Sequence, residues 1–269
     1  MSTAYVNNFT PPPPSALPDP DKVLSSTEPY DINFAYPIHL ESLSSDKVRL
    51  MPFVPRLHAK PLWESALPQL GELFQYYPIA PRTFPEFLAF VESIRTLPHW
   101  CMFAVYDKTR AAQEGESGDG GEGSFAGMMS LVNTVHQYLC TEIGYVMILP
   151  AFQRSHVART SVSLLLQYCL NMPTASPPGL GFRRVAWIAH PNNGPSVGLA
   201  KKLGFQEEGV LRFSRILPDV EALNRVGVEV KRKGSDTREA YARHSKVLAV
   251  CWDDWESGVQ EKAEVIIRQ

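Results

Sequence analysis

The chain has 269 residues, 44% of them hydrophobic, with a formal net charge of −2 and a pI near 6.4. That length buries the core of one sizeable domain plus tails better than it fills two domains. The slightly acidic balance argues against a nucleic-acid binder, which carries a basic footprint. The cysteines, Cys101, Cys140, Cys169 and Cys251, sit in apolar runs without metal-ligand spacing, so no metal is expected. They read as thiols of a reducing compartment. No apolar run reaches transmembrane length and the N-terminus lacks the order of a signal peptide, so a cytoplasmic protein without a membrane partner is expected.

Residues 1–36 form a leader whose Pro11-Pro12-Pro13-Pro14 run favours extended polyproline II and makes no packed core. It reads as a disordered, solvated tail or as a ligand for an SH3-like domain. Residues 36–43 are expected to dock as an extra strand. Residues 46–54 read as the first core strand, with Val48, Leu50 and Phe53 inward. Residues 58–67 and 84–97 read as helices, and Pro85 suits the first turn of the second. Between them Phe74, Tyr76, Tyr77 and Pro78 make an aromatic cluster. Residues 100–107 are the second strand. Residues 108–123 carry Gly115, Gly118, Gly120, Gly121 and Gly123 among acids and read as a flexible insertion. Residues 125–135 are the third strand, followed by a turn with His136.

Residues 142–149 have the composition of a buried fourth strand, which Pro150 ends. From His156 the period changes. Val157, Leu164, Leu165 and Tyr168 recur at helical spacing, and Val162 and Leu166 widen the stripe. Between strand and helix lies the polar turn Gln153-Arg154-Ser155-His156-Val157-Ala158. A helix N-terminus presents unpaired N–H groups at its positive end, which suits a phosphate, and Arg154 and Arg159 add charge. An ordinary connection with two surface arginines fits the same residues. Residues 182–189 read as the fifth strand and 190–196 as a turn. Residues 196–203 form a short helix closed by Gly204 at C′. Residues 207–215 are the sixth strand. Residues 218–237 are a charged insertion containing Lys231-Arg232-Lys233. Residues 243–251 are the last strand. Trp252-Asp253-Asp254-Trp255 closes a domain spanning 37–257, and 258–269 is left as a tail.

Strand, phosphate-type turn, helix, strand, Asn-x-x-Ser turn, helix, Leu-Gly-Phe is a specific order. It resembles the GNAT superfamily of acetyl-CoA-dependent N-acetyltransferases. Within it, the branch of the ribosomal-protein serine and alanine N-terminal acetyltransferases and their bacterial and fungal relatives is the most similar. Gln153 to Ala158 matches the Q/R-x-x-G-x-G/A signature at its Gln and Ala ends. His156 stands at the first glycine and Val157 at the variable position. Asn193, Ser196 and Leu203-Gly204-Phe205 match without gaps, and the resemblance spans residues 46–255 with the two insertions outside it. It implies an α/β (α+β) fold with a central mixed, mostly antiparallel twisted sheet. That sheet would have about seven strands, splayed between the fourth and fifth, with about four flanking helices.

The resemblance also implies acetyl-CoA as co-substrate. The N–H groups of Gln153, Arg154, Ser155, His156, Val157 and Ala158 would take the pyrophosphate. Met147, Ile148 and Leu149 would pair with the pantetheine as an added strand, and a backbone N–H there would serve the oxyanion. Asn193 and Ser196 would touch the cofactor. The basic patch at Lys231 would meet the 3′-phosphate or simply face solvent. The aromatic cluster would shape the acceptor cleft or pack as a satellite core.

A primary amine is only about one part in a thousand neutral at pH 7. A carboxylate at the cleft accepts its proton. Glu142, in the pattern Glu-Ile-Gly-Tyr, matches the branch's acceptor-facing glutamate, and alternation places it with Gly144, opposite Ile143 and Tyr145. A structural glutamate bonded to nearby backbone fits too, and His190 and His136 are the other candidate bases. Ser196 would protonate the departing thiolate, and it also stands where a helix N-cap would. Three functions follow: acetylation of a small-molecule amine, acetylation of a protein N-terminus, or acyl-CoA binding without turnover. Neither a monomer nor a homodimer is favoured.

Overall fold

The computed structural model describes residues 6–11, 13, 16–112, 123–217, 228–229 and 241–269. Its strands are β1 (Val48–Pro52), β2 (Cys101–Asp107), β3 (Ser124–Val135), β4 (Cys140–Ile148), β5 (Arg184–Ala189), β6 (Gln206–Ile216), β7 (Val228–Glu229) and β8 (Tyr241–Cys251). Seven of them lie in the order β1-β2-β3-β4-β5-β8-β6, and the two-residue β7 also pairs with β8. Among the described strand pairs, only β4 and β5 run parallel. The described α-helices of five residues or more are α1 (Pro20–Ser25), α2 (Pro55–Ala66), α3 (Leu70–Phe74), α4 (Phe84–Arg95), α5 (Val157–Leu170), α6 (Gly194–Lys202) and α7 (Gln260–Arg268). None of them is long and apolar enough to cross a membrane.

Local chemistry sets the helix ends. Pro55 opens α2 with its φ already helical, so that helix begins before His58. Thr83 and Glu86 form a reciprocal capping box at α4. Gly204 has φ +100°, and the bonds Phe205 N–H to Ala200 O and Gly204 N–H to Lys201 O close α6 in a Schellman turn. A Cβ at Gly204 would meet Val259 Cγ2 at 2.8 Å, so the tight turn also lets the C-terminal segment approach.

The sheet core is buried on both faces along β2, where every residue from Cys101 to Asp107 is inaccessible. Helix α5 packs on β1, β2, β4 and β5. Its expected stripe of Val157, Leu164, Leu165 and Tyr168 is buried, but so are Thr160 to Leu170 throughout. The second face of α5 is covered by α7 and by the short 3₁₀ turn Leu40–Leu43.

Two ends of the chain differ from the sequence expectation. Residues 258–269 read as a tail, yet α7 lies against α5 with Ala263 3% exposed and Ile266 and Ile267 packed on the core. That helix is the fifth of nine residues or more, where about four flanking helices were expected. The amphipathic pattern is too short to announce itself without its partner. The leader is docked from residue 20 onward. Helix α1 packs on α2 and α4, Asn33 Nδ2 donates to Arg95 O at 2.8 Å, and Tyr168 Oη donates to Pro37 O. The extra strand expected at 36–43 is absent, and the 3₁₀ turn stands in its place. Most of both insertions, with Lys231, Arg232 and Lys233, lies outside the described residues.

Candidate active site

The ladder between β4 and β5 is short. Cys140, Thr141 and Glu142 pair with Arg184, Val185 and Ala186, and there the pairing stops. Both strands continue, β4 to Ile148 and β5 to Ala189, so they diverge. On its other side β4 still pairs with β3, but the register slips. Met128 faces Met147 and Ser130 faces Gly144, so β4 carries one extra residue there. The bulge falls at Tyr145, whose φ is +49°. It breaks the alternation expected after Gly144, so Gly144, Tyr145, Val146 and Met147 all border the gap. The gap opens into a cleft of about 1010 Å³.

One wall is the turn onto α5. Gln153, Arg154, Ser155, Ala158 and Arg159 line it. Gln153 Nε2 donates to Ile148 O at 3.0 Å, bracing the end of β4. Arg154 takes φ +59°. Ser155 Oγ accepts Val157 N–H at 3.2 Å, while the next N–H groups of the helix have no intrahelical acceptor. Three residues of the expected cofactor set do not line the cleft. Leu149 turns its N–H to Ala126 O at 2.9 Å, because successive backbone groups of a strand point opposite ways. Val157 is fully buried. His156 turns its ring to the buried Asp107, with Nε2 3.3 Å from Oδ1. Met147 and Ile148 do border the cleft.

The other wall is the acceptor side. Glu142 is half-buried and lines the cleft, and its Oε2 accepts Asn133 Nδ2 at 2.9 Å. Burial pushes its carboxyl above the usual carboxylate range, against the opposing pull of Asn133, Arg215 and Arg243. Tyr77 Oη donates to Val146 O at 2.7 Å, pinning the bulge, and its ring stacks on Tyr145 at 5.7 Å. Of the aromatic cluster, Tyr76, Tyr77 and Pro78 line the cleft, while Phe74 is in the core at 3% exposure.

At the mouth of β5, Ser196 Oγ accepts Trp187 Nε1–H at 3.0 Å, which leaves the hydroxyl hydrogen free to point elsewhere. The helix cap falls to Asn193, whose Oδ1 accepts Ser196 N–H at 3.2 Å, and not to Ser196. His190 lines the cleft and is 4% exposed, with Nδ1 accepting Asn192 N–H at 3.0 Å. His136 is exposed, packs near Tyr36 and does not border the cleft.

The family model of the GNAT acetyltransferase domain matches residues 47–206, more than half of the chain. The chain belongs to the GNAT acetyltransferases. It is thereby an acyltransferase of a family that uses acyl-CoA. A GCN5-related N-acetyltransferase from Brucella melitensis matches this GNAT fold with a TM-score of 0.62 at 22% identity, covering 84% of each chain. Mycobacterium smegmatis RimJ, solved with CoA-disulfide, gives 0.57 at 16%, over 82% of this chain and 90% of its own. The Salmonella typhimurium acetyltransferase that modifies the N-terminal serine of a ribosomal subunit protein gives 0.53 at 16%, over 76% and 95%. No curated protein matches by sequence.

Four residues of the GNAT cleft escaped the sequence reading: Asn133, Tyr145, Arg215 and Arg243. Asn133 lies nine positions before Glu142 and reaches it only across the β3–β4 hairpin. Arg215 and Arg243 come from strands on opposite sides of the 218–237 insertion. No local pattern marks any of them.

Proposed function

We propose that the protein is an acetyl-CoA-dependent N-acetyltransferase acting on the primary amine of a small molecule by direct attack on the thioester. One observation carries this reading. Past Glu142 and Ala186 the two parallel strands part, and the gap joins an anion-suited helix start to a half-buried carboxylate. The residues present fit acetyl-CoA. The turn offers helix N–H groups beside the small Ser155 and Ala158, with Arg154 and Arg159 for phosphate charge. The edge of β4 that faces the gap has no strand partner beyond Glu142.

Bound acetyl-CoA supplies the thioester carbonyl that an amine attacks. Glu142, held by Asn133, accepts the ammonium proton, directly or through a water, and its raised pKa brings it closer to that task. The backbone N–H of Ile148, which alternates with the β3-facing groups of Met147 and Leu149, would donate to the carbonyl oxygen as charge develops there. Ser196, oriented by Trp187, donates to the departing thiolate. A protein N-terminus is the second reading. It draws support from the Salmonella neighbour, described as modifying an N-terminal serine, and from a cleft at the upper end of ligand-pocket volumes.

The test is release of free thiol from acetyl-CoA across a panel of amines and peptides, with wild type beside Glu142→Gln. Glu142→Gln is expected to lower kcat/KM by about a hundredfold or more. Equal rates would remove Glu142 as the base. A panel in which only peptides react would transfer the assignment to the second reading. Heat from CoA binding with no thiol release from any acceptor would leave an acyl-CoA binder without turnover.

A further inference from the structure

The acceptor end of the cleft holds more positive charge than the proton transfer needs. Arg215 on β6 and Arg243 on β8 are direct register partners in the antiparallel ladder. Like charges placed opposite each other repel, so such a pair calls for an anion between or above them. Both side chains border the same cleft as Glu142. Arg215 is exposed, and among the described residues its side chain donates one hydrogen bond, to the carbonyl of Ser214 at 2.9 Å.

Arg243 is 6% exposed and, among the described residues, its hydrogen bonds are to neutral groups. One terminal nitrogen donates to Tyr76 O and the other to Ser245 Oγ at 3.0 Å. Its Nε–H finds no acceptor. Among the described residues neither arginine forms an ion pair. Glu142 acts on both through its field, but its carboxylate is engaged by Asn133. Burial and the nearby Arg215 together pull Arg243 below its ordinary basicity, against the opposing field of Glu142.

We propose that Arg215 and Arg243 receive a carboxylate carried by the acceptor itself, so that the substrate is an amine of the amino-acid class. This rests on the acetyltransferase reading above and names its substrate. A carboxylate matches the planar guanidinium fork, and both partners are then charge-assisted donors. The same molecule brings its ammonium group to Glu142. The cleft then holds two cations and two anions in alternation with the incoming ammonium. A plain amine would add a cation beside the two arginines and leave their donors without a carboxylate, and is selected against. A peptide N-terminus has its α-carboxyl tied up in the next amide and leaves the pair unmatched.

The experiment uses the full chain, acetyl-CoA and matched acceptor pairs. Each pair is an amino acid and the amine left when its carboxyl is removed, with α-, β- and γ-amino acids, the amino-acid amides, and phosphate-bearing amines as further arms. The acid of a pair is expected to show a kcat/KM at least about tenfold above its amine, the scale of one charge-assisted hydrogen bond. Arg215→Gln should raise KM for the acid about tenfold or more while KM for acetyl-CoA stays in place, and Arg215→Lys should recover part of it. Equal kcat/KM within the pairs overturns the proposal. So does a preference for amides, peptides or phosphates over free carboxylates, or an Arg215→Gln loss that is equal for acid and amine. Arg215 is exposed on a strand, so its variants fold. If nothing is acetylated, the acetyltransferase reading is what fails. Calorimetry of the amino acids against wild type and Arg215→Gln then decides the arginine pair alone, with heat lost in the variant expected and heat unchanged or absent in both overturning it.

Discussion

Glu142 is costly where it stands, and the cost has a sign. Burial favours the neutral carboxyl, so its folded pKa lies above its unfolded one. The folded protein then binds the proton more tightly. Stability therefore falls as pH rises from the ordinary carboxylate pKa, about 4, through the raised folded value, and stays lower above it. Glu142→Gln keeps an oxygen for Asn133 and removes the charge. Thermal unfolding as a function of pH is expected to give Glu142→Gln a Tm equal to or above wild type at neutral pH, with the gap closing in acid. A lower Tm at pH 7 would mean that Glu142 is ionised and stabilising, as a purely structural glutamate would be. The wild-type kcat/KM profile should show its acid limb above the usual carboxylate range, and Glu142→Gln should lack that limb. The candidate base was legible from Glu-Ile-Gly-Tyr alone, because that segment carries its own pattern. Its partner Asn133 was not, because a contact across a hairpin leaves no mark in either segment.

Strand β4 is where one element makes the site. A regular strand would have paired with β5 to its end or closed on β3 without slack. The extra residue at Tyr145 bends it away, and Tyr77 takes the Val146 carbonyl that the bulge would leave without a ladder partner. Tyr77→Phe removes that donor and keeps the stack on Tyr145. It is expected to cost about 1–2 kcal/mol, read as a lower Tm, and to raise KM for acetyl-CoA by loosening the edge that holds it. Gly127 completes the arrangement from β3. It has φ +143°, and a Cβ there would meet Met147 O at 2.1 Å. Gly127→Ala is expected to cost about 2–4 kcal/mol and to lower CoA affinity in calorimetry, since the backbone must shift to admit it. Strand existence was legible from composition. The bulge was not, because Glu-Ile-Gly-Tyr-Val-Met alternates no worse than an unbroken strand.

At the scale of the whole molecule, α5 is the axle, with the sheet on one side and chain ends on the other. Helix α7 covers α5, Val259 sits against Gly204, and Ile266 borders the cleft. Removing residues 258–269 takes away Val259, Ala263, Ile266 and Ile267 together and uncovers the face of α5 that they cover. The truncated protein is expected to lose about 3–6 kcal/mol, measured by denaturant unfolding, and to bind CoA more weakly. An unchanged midpoint would return that segment to the status of a tail.

The sequence by itself determined the family, the order of the seven longer strands and of α2, α4, α5 and α6, the turn that opens α5 and the glutamate near the start of β4. These are local properties: a periodicity, a cap, a motif whose residues are neighbours in the chain. Tertiary structure alone decided which of the motif's residues meet the cleft, that Ser196 is braced by Trp187 while Asn193 caps its helix, and that Arg215 and Arg243 stand opposite one another beside Glu142. The physical reason is register. Pairing between strands far apart in the chain is set by the fit of whole faces, and a single inserted residue at Tyr145 re-aims every group beyond it.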